Sequence, residues 1–370
     1  MKVLQIASRH ITALKIFVVF CCSRLLILLC GWLSTYVVPK AEWYGNPQSI
    51  VDLFFRWDSG WYLSIVQNGY FYAPGQQSSV AFFPLYPLLV KAVSFALVDP
   101  RIAGIVLSNV ALLFAAIYLF KTTALDYENS KIPRHSVVFA LIFPTSFFLS
   151  IFYSESLFLF LSVACFYYAR KRCWLVSSVF GYFTALTRLI GVFIFIPILI
   201  EYLAPTSLRD IRFRSIGKDA FSLLLIPAGL LTYMSYLYLV FKEPLAFLKT
   251  QSAWRREFFP FSALASILTY DPFYAAIFGG FAVLSISVLI YLIYSKVRLS
   301  YVVYVFIQLF VIFSSSLIES LPRYLCVLFP VYLGFALMAK SKFRVWTINL
   351  FSIGLLTLFV ILFTNGYWFT

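Results

Sequence analysis

The sequence predicts an all-α protein that crosses the membrane many times. Hydrophobic residues occupy 62% of its 370 positions, whereas charged residues occupy only 12%, and its mean hydropathy is +0.91. A soluble domain needs far more polar side chains to cover its surface. The apolar positions also fall into runs of about 20 residues, the length at which an α-helix spans a bilayer. The composition therefore predicts a polytopic membrane protein.

Eleven of these runs are predicted to span the membrane. They lie near residues 13–37, 102–122, 134–150, 155–169, 174–187, 190–204, 221–241, 273–295, 300–316, 323–339 and 345–363. A twelfth apolar run, residues 82–98, is predicted to lie along the outer membrane surface, because counting it as a span would invert every later segment. The chain then forms one membrane domain over residues 1–370. It has two long outer loops, 39–101 and 242–272, and we expect the first to contain short interfacial helices joined by turns.

The distribution of charge sets the predicted orientation. With this set of spans, one side of the membrane receives 18 basic and 5 acidic residues, a net of +13, and the other receives 10 basic and 9 acidic residues, a net of +1. Basic loops stay in the cytoplasm, so the amino terminus is predicted inside and the carboxyl terminus outside. The cytoplasmic clusters, such as residues 170–172 and 209–218, are interpreted as plain anchors. The total net charge of +15 then reflects topology, and nucleic-acid binding is not expected.

Cysteine and histidine give no sign of a disulfide or a metal site. All six cysteines fall in predicted spans or on the cytoplasmic side, so no structural disulfide is expected. The two histidines, His10 and His135, fall at cytoplasmic span edges, which excludes a histidine-based metal site on the outer face. We expect neither a metal nor another cofactor.

The first long polar stretch of the chain is Arg56-Trp-Asp-Ser-Gly-Trp-Tyr62, which Gln67-Asn-Gly-Tyr70 and Ala81-Phe-Phe-Pro-Leu-Tyr-Pro87 follow. Asp58 is a lone carboxylate between aromatic rings in a very apolar chain. Two interpretations stay open for it: a helix N-cap for a helix that begins at Ser59, or a general base at the membrane surface.

The predicted topology places ten polar or aromatic residues near span ends on the outer face. They are Asp58, Glu155, Arg188, Gln251, Trp254, Arg255, Arg256, Glu319, Arg323 and Asn365. Ionisable groups are costly at this depth and so indicate function by default, although a structural ion pair between Glu155 and Arg188 is an alternative. Among these residues, the carboxylate of Asp58 can act as a base. Arg188 or Arg323 can bind a phosphate group, because guanidinium pairs with phosphate oxygens in a bidentate fork.

The first-loop string resembles that of the GPI mannosyltransferase 2 (PIG-V) family and its prokaryotic relatives, which are membrane glycosyltransferases of the GT-C type. Weaker likenesses follow at Pro144-Thr-Ser-Phe-Phe148, Tyr153-Ser-Glu-Ser156, Ala185-Leu-Thr-Arg188, Leu321-Pro-Arg-Tyr324 and Asn365-Gly-Tyr-Trp368. The resemblance implies a GT-C fold and an inverting transfer of mannose from a polyprenyl-phosphate donor. It implies no nucleotide-sugar site and no obligatory metal.

The resemblance implies roles for the residues of this chain that match the family's motifs. Asp58 is the expected catalytic base, and Arg188 and Arg323 are the expected donor-phosphate ligands. The expected substrate-binding residues are Trp57, Trp61, Tyr70, Tyr153, Glu155, Gln251, Trp254, Arg255 and Tyr324. The expected partners are the lipid-linked sugar donor, a glycan, glycolipid or other hydroxyl acceptor, and the bilayer itself.

Two departures from the eukaryotic pattern bear on the acceptor. Trp61-Tyr62 stands where eukaryotic members carry His-Phe, and Gln77-Ser-Ser replaces the charged residues before Ala-Phe-Phe-Pro. These differences disfavour a GPI precursor as acceptor and favour a prokaryotic plasma membrane, with the site on the extracytoplasmic face; in a eukaryote the endoplasmic reticulum would be expected. A transporter or lipid flippase is one alternative, but it would be expected to show repeated halves. A protein O-mannosyltransferase is another, which would be expected to carry a second acidic residue beside Asp58.

Overall fold

The computed structural model describes residues 2–41, 47–128, 130–203 and 217–367, with side chains from residue 14 onward. Within these ranges it contains no β-strand, so the predicted all-α class is confirmed there. The α-helices, in chain order, are α1 Lys2–Val37, α2 Ile50–Leu53, α3 Asp58–Asn68, α4 Leu85–Leu97, α5 Pro100–Tyr127, α6 Ile132–Leu141, α7 Glu155–Arg170, α8 Trp174–Ala185, α9 Phe195–Leu203, α10 Leu225–Phe241, α11 Ala246–Lys249, α12 Ser262–Ser266, α13 Pro272–Tyr294, α14 Leu299–Phe313, α15 Leu321–Leu325, α16 Phe329–Met338 and α17 Lys342–Thr364.

Five helical segments of the described chain are long and apolar enough to cross a membrane. They are Leu14–Val37, Pro100–Tyr127, Lys218–Phe241, Pro272–Tyr294 and Lys342–Thr364. Each of the eleven predicted spans overlaps a helix, but several of the others are shorter than a straight span requires. The number of spans and the orientation of the chain stay predictions.

Two predicted spans are interrupted in the structure, which corrects the expectation of continuous helices. The run 134–150 is α-helical only to Leu141, and a short 3-10 helix follows at Ser146–Leu149, because Pro144 has no backbone N–H and disfavours helical geometry at the residue before it. The run 323–339 breaks between α15 and α16. There the ring of Pro330 would clash with the carbonyl four residues earlier, that of Cys326, and the hydroxyl of Tyr332 donates to this freed carbonyl.

An ion-pair network around the buried Glu201 joins α5, α7, α9 and the residue before α14 at one end of the helices. Arg170 donates to Asp126 at 2.7 Å and Arg298 donates to Glu201 at 2.6 Å. Glu201 is only 3% exposed and also lies 3.4 Å from Arg170. The interpretation of the cytoplasmic clusters as plain anchors is therefore wrong for Arg170 and Arg298, because both guanidiniums have carboxylate partners. The anchors Lys2, Arg9, Arg209, Arg212 and Arg214, with His10 and Trp368, lie outside the described residues or side chains.

The first long loop, predicted to lie outside, packs onto the helices through α3 and α4, which contact each other and α5. Gly104 of α5 is necessary for this packing, because a Cβ atom there would lie 1.7 Å from the ring of Phe152. Tyr86 of α4 lies 3.1 Å from the Gly104 carbonyl, to which its hydroxyl donates. Phe152 stands just before α7, so this close contact fixes the start of α7 against the first loop.

Candidate active site

The backbone turns sharply immediately before Asp58. Trp57 has φ +43° and ψ −107°, a left-handed geometry that is uncommon for a bulky residue. Its ring packs against Phe363 of α17, with the ring centroids 4.7 Å apart. The contact holds the turn in place, and α3 begins at the next residue. Asp58 is therefore presented at the first position of a helix, where a negative charge is favourable.

The Asp58 carboxylate is paired with an arginine from the far end of the chain. Arg323 donates to its Oδ2 atom at 2.6 Å, and the Asp58 side chain stays 28% exposed. Trp57, not Asp58, is the N-cap residue of α3, and no side chain caps this helix. The N-cap interpretation of Asp58 is therefore wrong, because Arg323 engages the carboxylate that would have capped the helix.

Glu155 joins the two arginines that were predicted to bind phosphate. It is the first residue of α7 and is only 1% exposed. Its Oε1 atom accepts a hydrogen bond from Arg188 and lies 3.2 Å from Nε of Arg323. The predicted ion pair between Glu155 and Arg188 is thus present, and Arg323 extends it to Asp58. The Oε2 atom of Glu155 is buried without a hydrogen-bond partner.

Two tyrosines present their ring faces to these guanidinium groups. The guanidinium carbon of Arg188 lies 4.8 Å from the ring centroid of Tyr324. That of Arg323 lies 5.3 Å from Tyr153 and 5.8 Å from Tyr324. Such cation–π contacts gain strength where water is excluded. The two arginines are therefore oriented by carboxylates and by aromatic faces together.

Tyr153 also ties the charged group to the first loop. Its hydroxyl donates to the carbonyl of Arg56 at 3.1 Å and accepts from the backbone N–H of Asp58 at 3.3 Å. Burial, and then the nearby negative charge of Asp58, raise the pKa of Tyr153 well above its ordinary value. The phenol therefore stays a neutral hydrogen-bond donor at physiological pH.

The turn that carries Arg323 is fixed by residues that sequence reasoning did not single out. The hydroxyl of Thr145 donates to the carbonyl of Pro322 at 2.7 Å, and the thiol of Cys326 donates to the carbonyl of Arg323 at 2.9 Å. Thr145 belongs to the motif Pro144-Thr-Ser-Phe-Phe148 that supported the family resemblance, so this motif was the signal that could have identified it.

Arg56, which lies two residues before Asp58, was also missed as a site residue. Burial lowers the pKa of its guanidinium to about 10.

A second group of predicted residues forms an aromatic patch beside Asp58. Trp61 stands three residues after Asp58 on α3, and residues at this spacing are neighbours on a helix surface. Its ring contacts those of Trp254 at 5.6 Å and Phe82 at 5.8 Å. Trp254 comes from the second outer loop, which therefore reaches back over the first.

The loop that carries Trp254 also reaches the segment before Arg323. Arg256 donates to the hydroxyl of Ser320 at 3.0 Å. Arg255 adopts a left-handed backbone with φ +56° and is exposed. The loop thus bridges from the aromatic patch to α15 and leaves the side chain of Arg255 in solvent.

Two predicted substrate-binding residues are used elsewhere. The hydroxyl of Tyr70 donates to the carbonyl of Phe82 at 2.8 Å, and its ring packs near Tyr233. The side chain of Gln251 donates to the carbonyl of Phe247 at 3.2 Å. Neither makes a hydrogen bond, ion pair or ring contact with the charged group that is formed by Asp58, Glu155, Arg188 and Arg323 (the outer charge cluster).

The outer charge cluster and the Arg170–Glu201 network lie at opposite ends of the helices. Glu155 begins α7 and Arg170 ends it, so at 1.5 Å per residue they are about 22 Å apart along the axis. In the part of the chain that the structure describes, no three His, Cys, Asp or Glu side chains are grouped as a metal site requires. The outer cluster offers a partly exposed carboxylate, Asp58, paired with the guanidinium of Arg323, and a second guanidinium, Arg188, held by the buried Glu155.

Comparisons with known proteins point to one enzyme family. Residues 46–195 match the family model described as mannosyltransferase (PIG-V). The GPI mannosyltransferase 2 of Schizosaccharomyces pombe is 28% identical over 108 residues, which cover 28% of this chain and 22% of that protein. The chain therefore spans less than a quarter of the length of this relative.

Among solved structures, the apo oligosaccharyltransferase of Archaeoglobus fulgidus has a similar fold. The TM-score is 0.54 at 11% sequence identity, and the likeness covers 94% of this chain and 56% of that one. At this identity the likeness concerns the helical fold alone, and it agrees with the GT-C fold that the sequence resemblance implied. The residues matched by the family model include Asp58, Glu155 and Arg188, so the resemblance of this chain to the mannosyltransferase (PIG-V) family is confirmed over residues 46–195.

Proposed function

We propose that the protein is a membrane glycosyltransferase that transfers mannose from a polyprenyl-phosphate donor to an acceptor hydroxyl. The observation that carries this proposal is the outer charge cluster, in which Asp58, Arg323, Glu155 and Arg188 form one continuous chain of ion pairs. Three of these four residues fall within the match to the mannosyltransferase family. The predicted topology assigns the cluster to the extracytoplasmic face of the plasma membrane.

The reaction requires a proton acceptor and a charge that stabilises the leaving phosphate. The acceptor oxygen forms a new bond to the anomeric carbon, on the face opposite the phosphate, which gives inversion. The bond from the anomeric carbon to the phosphate oxygen breaks, and its electron pair leaves with polyprenyl phosphate. The proton of the acceptor hydroxyl passes to Asp58, whose carboxylate is exposed enough to meet it.

The two arginines have different surroundings and therefore different proposed tasks. Arg323 contacts both carboxylates, so it holds the phosphate next to the base. Arg188 pairs with Glu155 and stacks on Tyr324, so it binds the phosphate from a fixed position. Glu155 is too deeply buried to meet substrate and acts as a positioning residue for both guanidiniums. Trp61 and Trp254 offer an aromatic surface for a sugar ring one helical turn from the base.

Asp58→Asn tests the proposal in membranes supplied with radiolabelled polyprenyl-phosphate mannose. General-base catalysis is worth on the order of a hundredfold or more, so we expect turnover to fall by that factor at normal membrane abundance. Asp52→Asn is a matched control. Asp52 is also a first-loop carboxylate paired with an arginine, Arg101 at 3.1 Å, but it lies outside the outer charge cluster.

The control variant is expected to keep wild-type turnover, and isolation of the labelled product would identify the acceptor. Transfer by Asp58→Asn at the wild-type rate would remove Asp58 as the base. Absence of any labelled product with the wild-type protein, across lipid, glycan and protein fractions, would refute the transferase itself.

A further inference from the structure

An apolar groove lies between α13 and α17, and none of its lining residues belongs to the outer charge cluster. Its volume is about 530 Å³, and of its sixteen lining residues only Thr347 and Ser352 carry polar side chains. The lining positions on α17 extend from Thr347 to Phe359, a length of about 18 Å at the helical rise of 1.5 Å per residue. Phe273 and Phe351 at its edges are 50% and 67% exposed. The groove is therefore long, narrow and open along its side.

Both walls of the groove lead to the outer charge cluster. On α17, Phe359 faces Phe281 of α13 across 5.9 Å, and one turn later Phe363 contacts Trp57, the residue before Asp58. On the other wall, Phe143 and Pro144 line the groove. They immediately precede Thr145, which donates to the Pro322 carbonyl next to Arg323. One end of the groove thus lies against the residues that support the two proposed catalytic groups.

We propose that this groove binds the polyprenyl chain of the lipid-phosphate donor; the inference rests on the proposed function. The ligand that fits carries an anionic head at one end of a long apolar tail. The guanidiniums of Arg188 and Arg323 complement the head, and the apolar lining complements the tail. The open side, between two helices long enough to cross a membrane, lets a lipid enter from the bilayer without leaving it.

Gly280 provides a way to fill the groove without disturbing the fold. It lies on α13 in the groove lining, and a Cβ atom added there would meet no atom within 4 Å. Gly354 on α17 has equally open space around it but is not among the lining residues. Gly280→Phe therefore obstructs the groove, and Gly354→Phe makes the same chemical change at a position of α17 that is not among the groove's lining residues.

The experiment compares the KM values of purified wild type, Gly280→Phe and Gly354→Phe for two donors, undecaprenyl-phosphate mannose and geranyl-phosphate mannose. Loss of one buried branched apolar group weakens binding by about tenfold or more. We expect Gly280→Phe to raise KM for the long donor by at least that factor and to leave KM for the short donor within about twofold. Gly354→Phe is expected to change neither value. If Gly280→Phe and Gly354→Phe both had wild-type KM values for both donors, the groove assignment would be overturned, but the transferase proposal would stay intact.

A photoreactive polyprenyl phosphate gives a second measurement that does not depend on turnover. Labelled peptides are expected from α13 and α17 of the wild type, and the label should decrease in Gly280→Phe only. If excess phosphatidylglycerol abolished the labelling, the groove would be an ordinary bilayer-lipid contact and the inference would fail. If the wild type transferred no sugar but labelling followed the expected pattern, the transferase proposal would fail and the lipid-phosphate site would stand.

Discussion

Glu155 and Glu201 are two buried glutamates in similar settings at opposite ends of the helices, and replacing each by glutamine separates stability from function. Each carboxylate lies between two arginines: Glu155 between Arg188 and Arg323, and Glu201 between Arg170 and Arg298. Their side chains are 2% and 3% exposed. The two substitutions therefore remove the same charge from nearly the same degree of burial.

The expected loss of stability is similar at both ends. Removing one partner of a buried ion pair costs about 3–5 kcal/mol. After Glu155→Gln, Arg323 keeps Asp58. After Glu201→Gln, Arg170 keeps Asp126, and Arg298 also stays 3.8 Å from that aspartate. We therefore expect the lower end of the range, about 3 kcal/mol. A Glu155→Gln/Arg188→Gln double variant should recover part of this loss, because it removes the guanidinium that was left without a carboxylate.

The expected effect on turnover differs between the two ends. Glu155→Gln releases Arg188 and Arg323 from their positions, and a misplacement of about 1 Å is worth up to a hundredfold in rate. Glu201→Gln leaves both arginines of the outer cluster untouched. Normalised to folded protein, turnover should fall at least about tenfold in Glu155→Gln and stay at the wild-type level in Glu201→Gln.

The assay combines thermal denaturation of the detergent-purified variants with sugar transfer by the folded fraction. If Glu155→Gln kept wild-type turnover per folded molecule, the carboxylate would be a structural ion-pair partner only. If both variants lost turnover equally, the effect would come from general loosening of the helices. Glu155 would then have no specific role in positioning Arg188 and Arg323.

Two further predictions concern the arginine fork and the topology. Arg323→Lys keeps the charge but replaces a bidentate fork by a point charge, so turnover should fall on the order of tenfold at unchanged membrane abundance; unchanged turnover would shift the phosphate site towards Arg255 and Arg256. In a variant without native cysteines, cysteines at the exposed positions Gln76 and Ser252 should react with an impermeant thiol reagent added outside, whereas one at exposed Ser130 should not. Labelling of Ser130 together with protection of Ser252 would invert the predicted orientation.

Sequence reasoning singled out the residues of the outer charge cluster and offered the Glu155–Arg188 pair as an alternative, but it did not predict the pairing of Arg323 with Asp58. Isolated charges at the ends of apolar runs are costly and thus conspicuous, which singled out Asp58, Glu155, Arg188 and Arg323. The bond from Arg323 to Asp58 joins positions 265 residues apart. Such a contact depends on how the helices pack, which hydropathy does not encode. For the same reason the sequence did not reveal that Tyr70 donates to a backbone carbonyl of the first loop.

The interrupted spans show a second limit. Over 134–150 and 323–339 the average hydropathy outweighs a single proline, so each run was interpreted as a continuous helix. The prolines themselves carried the correct information: Pro144 disfavours helical geometry at the residue before it, and the ring of Pro330 would clash with the carbonyl of Cys326 in a continuous helix. A side-chain hydrogen bond to a backbone carbonyl accompanies each break. After the first break the hydroxyl of Thr145 donates to the carbonyl of Pro322, and at the second the hydroxyl of Tyr332 donates to that of Cys326.

The positions of the helix ends also account for the signs of three of the four charges in the outer cluster, those of Asp58, Glu155 and Arg323. The amino end of a helix favours negative charge and its carboxyl end favours positive charge, each by about 0.3–1 kcal/mol. Asp58 is the first residue of α3 and Glu155 the first of α7, whereas Arg323 lies in the last turn of α15. Irregular backbone is tolerated at membrane depth only where it is buried in protein or lines a cavity. Two helix starts and one helix end thus meet in the cluster, and each presents the charge that its own end stabilises.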